Sequence, residues 1–159
     1  MTARVAVVTV SDRAACGLRD DATGPALTRA VRAAGLDADD PRVVPDDEGA
    51  LAEMITALAG SYDLLLLAGG TGIAPRDRTP EGVEHACDRM IPGIGEAIRA
   101  ASRDEIPAAS LSRACGGVRG QTIVVALPGS PSGATDAWAA IAPFITHAVD
   151  QLRGGDHAG

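Results

Sequence analysis

Apolar residues along this chain gather into short continuous runs that alternate with stretches of helical period. Residues Arg4–Val10 (RVAVVTV), 64–67 (LLLL) and Thr122–Leu127 (TIVVAL) show no polar alternation. Runs of that kind predict strands covered on both faces. Arg42–Val44 predicts a shorter strand. A polar loop is expected over residues 11–21, followed by a helix opened by Thr23-Gly24-Pro25 and ended by Gly35. Asp46-Asp47-Glu48 reads as an acidic helix start, with the helix continuing over residues 49–60. Pro80 suits a first helical turn, with Thr79 as its cap and Glu81 behind it. Pro92-Gly93 reads as a break before a helix over 96–103. A last helix, over 134–152, contains Pro143 as a candidate kink. Strands alternating with helices predict an α/β sandwich of three layers, α/β/α, around a mostly parallel central sheet. Residues 1–153 are expected to form one domain and 154–159 a frayed tail.

Ligands of such sheets sit beyond the carboxyl ends of the strands. The three strong strands end there in Ser11-Asp12-Arg13, Gly69-Gly70-Thr71-Gly72 and Pro128-Gly129-Ser130-Pro131. A glycine loop lets the backbone approach a ligand and turn its N–H groups toward an anion. It is not a dinucleotide fingerprint, because Pro75 stands where the last glycine belongs. Asp46 and Asp47 follow a short strand, and a carboxylate there could hold Mg²⁺. Of the two, Asp46 is the expected ligand and Asp47 the expected helix cap. Asp77, between Arg76 and Arg78, could bind a metal ion or position a proton. An arginine beside it could neutralise phosphate, and Arg13 could meet an anion.

Composition narrows the chemistry. The chain has 159 residues and a net charge of −7, and all fourteen basic residues are arginine. The absence of lysine excludes a Schiff-base lysine and a Walker A loop. The acidic balance argues against a nucleic-acid partner. Cys16, Cys87 and Cys115 are scattered, and His85, His147 and His157 have no metal-ligand spacing. The N-terminal run lacks the length of a signal peptide, and the apolar run over 137–142 is too short to cross a membrane. A soluble cytoplasmic protein is expected.

Read together, Thr9-Val10-Ser11-Asp12-Arg13, Val44-Pro45-Asp46, Gly69-Gly70-Thr71-Gly72 with Arg76-Asp77-Arg78-Thr79-Pro80-Glu81, Pro92-Gly93-Ile94-Gly95-Glu96, Leu111-Ser112-Arg113 and Leu127-Pro128-Gly129-Ser130-Pro131 stand in one order. In that order they resemble the MogA/MoaB family of molybdenum-cofactor biosynthesis proteins. The chain departs from the family pattern at Ala68, where Ser or Thr is common, and at Ile94. The resemblance implies a molybdopterin-binding fold and molybdopterin adenylyltransferase activity. ATP would be the co-substrate, Mg²⁺ the metal, and adenylyl-molybdopterin plus pyrophosphate the products. It implies Asp46 and Asp77 as catalytic and metal-binding residues. Gly69, Gly70, Thr71, Gly72, Pro128, Gly129 and Ser130 would bind nucleotide; Ser11, Arg13, Ser112 and Arg113 would bind pterin. It further implies a homo-oligomer, a trimer or a hexamer, and hand-off to a molybdate-inserting enzyme. The competing expectation is a non-catalytic molybdopterin-binding or scaffold module on the same fold.

Overall fold

In the computed structural model, which describes residues 2–155, the continuous apolar runs form the middle of one seven-stranded sheet. Strands β1 (Arg4–Val10), β4 (Leu64–Ala68) and β7 (Thr122–Leu127) lie side by side and parallel. Their register aligns Thr9 with Ala68 and Ala68 with Leu127, so all three carboxyl ends reach one edge together. On the outer side of β1, β2 (Asp37–Ala38) and β3 (Arg42–Val44) pair in succession, both parallel to it. Pro41 falls between them and has no N–H to give the ladder. On the other flank, β6 (Cys115–Arg119) and β5 (Arg89–Met90) run antiparallel.

Side chains alternate between two cores, as the strand period requires. Val5, Val7, Leu64, Leu66, Ile123 and Val125 face one side. There they meet α2 (Thr23–Ala33), α5 (Pro92–Ser102) and α6 (Pro131–Leu152) through Leu27, Ile94 and Trp138. Ala6, Val8, Leu65, Leu67 and Val124 face α3 (Glu48–Leu58) and α4 (Thr79–Ala86) through Leu51, Ile55 and Val83. The three layers expected from the sequence are therefore present. No helix among the described residues is long and apolar enough to cross a membrane.

Several local expectations are corrected. The loop over 11–21 contains a short helix, α1 (Asp12–Ala15), because the Ser11 hydroxyl accepts from Ala14 N at 3.2 Å. Thr79 does not cap α4; Arg78 holds the cap position, and Thr79 is the first helical residue. Pro92 opens α5 rather than breaking a helix, since the first turn needs no N–H from it. Helix α6 starts at Pro131, ahead of 134, because Ser130 caps Gly133 N at 3.0 Å. Pro143 lies inside α6 on its exposed face. Strand β5 has too few residues to show a sequence pattern, and β6 escapes one because Gly116 and Gly117 carry no side chain. Each is glycine for room: a Cβ would strike Ile94 at Gly116 and Cys87 at Gly117. At the end of α6, Gly154 N and Gly155 N donate to Gln151 O and Asp150 O. The rest of the expected tail, 156–159, lies outside the described residues, as does His157.

Burial separates the three thiols. Cys16 is exposed, whereas burial pushes Cys87 up to about 11 and Cys115 up to about 12. The thiolate is the reactive form, so both inner thiols are almost wholly protonated at pH 8. Brief iodoacetamide treatment of the folded protein at pH 8 should add one label, on Cys16, and three after unfolding. Peptide mass mapping reads this; labelling of Cys87 or Cys115 at the rate of Cys16 would contradict the packing.

Candidate active site

The loop after β4 is shaped by what surrounds it. Gly69 has φ +120° and Gly70 φ +64°. A Cβ on Gly69 would strike the carbonyl of Val10, and one on Gly70 would strike Asp46 and Thr79. Only glycine fits at either position. Gly69 N donates to Leu127 O at 2.9 Å, which ties the loop to the end of β7.

The next three peptide groups are held from behind. The carbonyl of Gly70 accepts from Thr79 N at 3.2 Å, and that of Thr71 accepts from Arg113 N at 2.7 Å. The carbonyl of Gly72 accepts from Arg113 Nε at 2.8 Å. No hydrogen bond among the described residues engages the N–H groups of these peptides, which are those of Thr71, Gly72 and Ile73. Oriented amides without acceptors form an anion-binding concavity.

Two carboxylates flank this loop. Asp46 is buried; its Oδ1 accepts from Arg78 N at 3.0 Å, and its Oδ2 lies over Gly70. Its own N–H donates to Asp12 Oδ1 at 3.1 Å. Burial chiefly pushes the Asp46 carboxyl above the usual range; Asp77 and Asp12 add to this, against the Arg78 N–H. Asp77 Oδ2 accepts from Ala74 N at 3.0 Å and sits 2.6 Å from where a Cβ on Gly72 would be. Asp47 caps α3 through Ala50 N at 2.8 Å, as the sequence leads one to expect. No three His, Cys, Asp or Glu side chains among the described residues form a metal cluster of their own. A Mg²⁺ ion needs only one or two carboxylates when phosphates and water complete its shell.

The arginines around the loop are paired with protein. Arg76 forks onto Asp12 at 2.7 and 3.0 Å, and Arg78 meets Glu48 at 2.6 Å. Arg113 bonds Glu81 and donates to Asp77 O at 2.6 Å besides Gly72 O. Burial raises the Glu81 carboxyl, but Arg113 leads a set of interactions that bring it below its ordinary value. Arg113 therefore organises the glycine loop and the Asp77 loop; it does not line the clefts beside them. Arg13 is exposed on α1 and also lies outside those clefts.

Two clefts meet at a ridge made by Gly70, Gly129 and Ser130. One, of about 300 Å³, is lined by Ser11, Asp21 and Thr23. The other, of about 420 Å³, is lined by Thr71, Gly72, Asp77, Ser112 and Pro128. Ser11 and Ser112, assigned together to the pterin by resemblance, thus lie on opposite sides of the ridge. The Ser112 hydroxyl accepts from Ala114 N at 3.3 Å. Sequence reasoning misses Asp21, which accepts from the Thr9 hydroxyl at 3.0 Å and from Gly24 N at 2.9 Å. Its signal is an Asp three residues before the helix-opening glycine. Asp12 joins Asp46 N to Arg76.

The family described as "Probable molybdopterin binding domain" matches residues 6–147. A molybdopterin adenylyltransferase of Helicobacter pylori is 33% identical over 157 residues, covering 96% of this chain and 89% of the relative. A molybdenum cofactor biosynthesis bifunctional protein of Synechococcus elongatus is 37% identical over 158 residues; the chain spans 48% of that relative's length. Among solved structures, the molybdopterin biosynthesis enzyme MoaB from Thermus thermophilus superposes with a TM-score of 0.88 at 37% identity, covering 96% of this chain and 98% of that one.

A lysine at 113 could not span the acceptors that the guanidinium fork serves at once. Arg113→Lys should lower stability by about 1–3 kcal/mol in urea denaturation, the cost of leaving buried carbonyls unmatched. An unchanged midpoint would show that the clamp is dispensable.

Proposed function

Because the chain belongs to the molybdopterin-binding-domain family, we propose that it acts as a molybdopterin adenylyltransferase in molybdenum cofactor biosynthesis. The terminal phosphate of molybdopterin attacks the α-phosphorus of ATP, forming adenylyl-molybdopterin and releasing pyrophosphate. The observation that carries this reading is the row of three peptide groups at Gly70, Thr71 and Gly72. The carbonyls of Gly70, Thr71 and Gly72 are tied back, and the N–H groups on the other side of the same peptides, those of Thr71, Gly72 and Ile73, have no acceptor among the described residues, beside two carboxylates. Such a row suits phosphate oxygens, and two clefts meeting at one ridge suit a reaction of two substrates.

The residues fit Mg²⁺. Asp46 and Asp77 lean on Gly70 and Gly72 of the same loop, and each keeps one oxygen without a protein donor among the described residues. When bound, the cation supplies neutralisation of phosphate charge. The chain's own work is positioning: the amides hold phosphate, Gly129 and Ser130 border both clefts, and Ser112 serves the pterin side. Catalysis of this class depends on alignment and charge stabilisation. Assembly as a trimer or hexamer, a cytoplasmic location and hand-off to a molybdate-inserting enzyme belong to the same reading and rest on the family resemblance.

Purified protein incubated with molybdopterin, ATP and Mg²⁺ should yield adenylylated pterin by liquid chromatography, and a chelator should abolish it. Asp77→Asn keeps an acceptor for Ala74 N. It should cut the rate by about a hundredfold or more, the scale of losing a transition-state charge contact, while sparing pterin binding. A normal rate in that variant would sink the metal role. Pterin binding by the unaltered protein with no product would leave the binding-module reading in its place.

A further inference from the structure

Thr79 is wholly buried, and its hydroxyl has no hydrogen-bond partner among the described residues. That is an expensive state for a polar group, because a valine of nearly the same shape would remove the penalty. The hydroxyl does not cap α4, which starts at Thr79 itself and takes Arg78 as its cap. Nor does it hold the glycine loop, since the bond to Gly70 O comes from the Thr79 backbone N–H. What the hydroxyl does have is a neighbour. A methyl group placed on Gly70 would strike both Thr79 Oγ1 and Asp46 Oδ2, so the two oxygens face the same small space. Asp46 Oδ1 is already fixed by Arg78 N, which leaves Oδ2 as the free oxygen of that carboxylate among the described residues.

We propose that Thr79 is a positioning residue: its hydroxyl, unbonded here, turns to donate to Asp46 Oδ2 when a divalent cation is bound and so sets the direction in which this carboxylate meets it. Arg78 N then holds one oxygen and Thr79 Oγ1 the other, from adjacent residues of one helix start. Gly70 is required at the point where they converge. Hydrogen bonds that orient a ligating carboxylate change metal affinity by about 10- to 100-fold when removed. The inference rests on the Asp46 metal role proposed above and extends it to a residue that touches neither substrate nor cation.

The test uses Thr79→Val and Thr79→Ser in the full chain. Manganese(II) binding in the presence of ATP, followed by electron paramagnetic resonance, reads the carboxylate without requiring turnover. Thr79→Val should weaken that binding by about tenfold and raise the Mg²⁺ needed for half-maximal adenylylation by a similar factor. Its melting temperature should not fall and its pterin binding should be unchanged. Thr79→Ser should return metal binding to within about twofold of the unaltered protein. Unchanged metal binding in Thr79→Val, or failure of Thr79→Ser to restore it, would overturn the proposal. So would a lowered melting temperature with lost pterin binding, which would assign the hydroxyl to the fold. If the unaltered protein binds manganese and pterin but transfers no adenylyl group, the adenylyltransferase reading fails while the manganese data still judge Thr79.

Discussion

The site depends on the direction in which three successive peptide groups point. The carbonyls of Gly70, Thr71 and Gly72 are each bonded from behind, two by Arg113 and one by Thr79 N, and this turns the intervening N–H groups outward. The arrangement needs the sheet beneath it. Because β1, β4 and β7 end in register, the Val10 carbonyl presses on Gly69 and the Leu127 carbonyl receives its N–H. With those two contacts in place the loop has one path, and glycine is the residue that can follow it.

Charge is organised around that loop in a way the overall balance hides. An acidic, lysine-free chain suggests that arginines must meet the phosphates, yet Arg76, Arg78 and Arg113 are paired with Asp12, Glu48 and Glu81. Their charge is offset by those carboxylates and their geometry serves the loops. In the proposed reading, the positive potential for an anion would come from backbone dipoles and from a cation on Asp46 and Asp77, which would reverse the local sign. Asp39 accepts from the Tyr62 hydroxyl at 2.5 Å, and Asp40, which remains exposed, accepts from Arg32 at 3.0 Å.

What can be read from the sequence is whatever is encoded locally. The buried strands, the Gly35 helix end and the Asp47 helix cap follow from runs, caps and strand ends that neighbouring residues determine. The glycine loop is legible as a close-approach segment for the same reason. The antiparallel pair β5 and β6 is not: β5 has only two residues, and in β6 Gly116 and Gly117 are set by contact with Ile94 and Cys87 and have no strand-like side chain. Arg113 reads as a ligand contact in sequence because its acceptors, Gly72 O and Asp77 O, lie 41 and 36 residues away. Thr79 looks like a helix cap there, and only the folded chain shows its hydroxyl beside Asp46.

The central claim is that phosphate is held by glycine-loop amides together with a cation carried on Asp46 and Asp77. Isothermal titration of ATP into the protein, with Mg²⁺ and with chelator, compared with Asp46→Asn, tests it most directly. The account predicts tight binding only with Mg²⁺, and in Asp46→Asn a loss approaching that caused by the chelator. Equal affinity with and without the cation, or an Asp46→Asn variant that binds Mg²⁺-ATP normally, would contradict it.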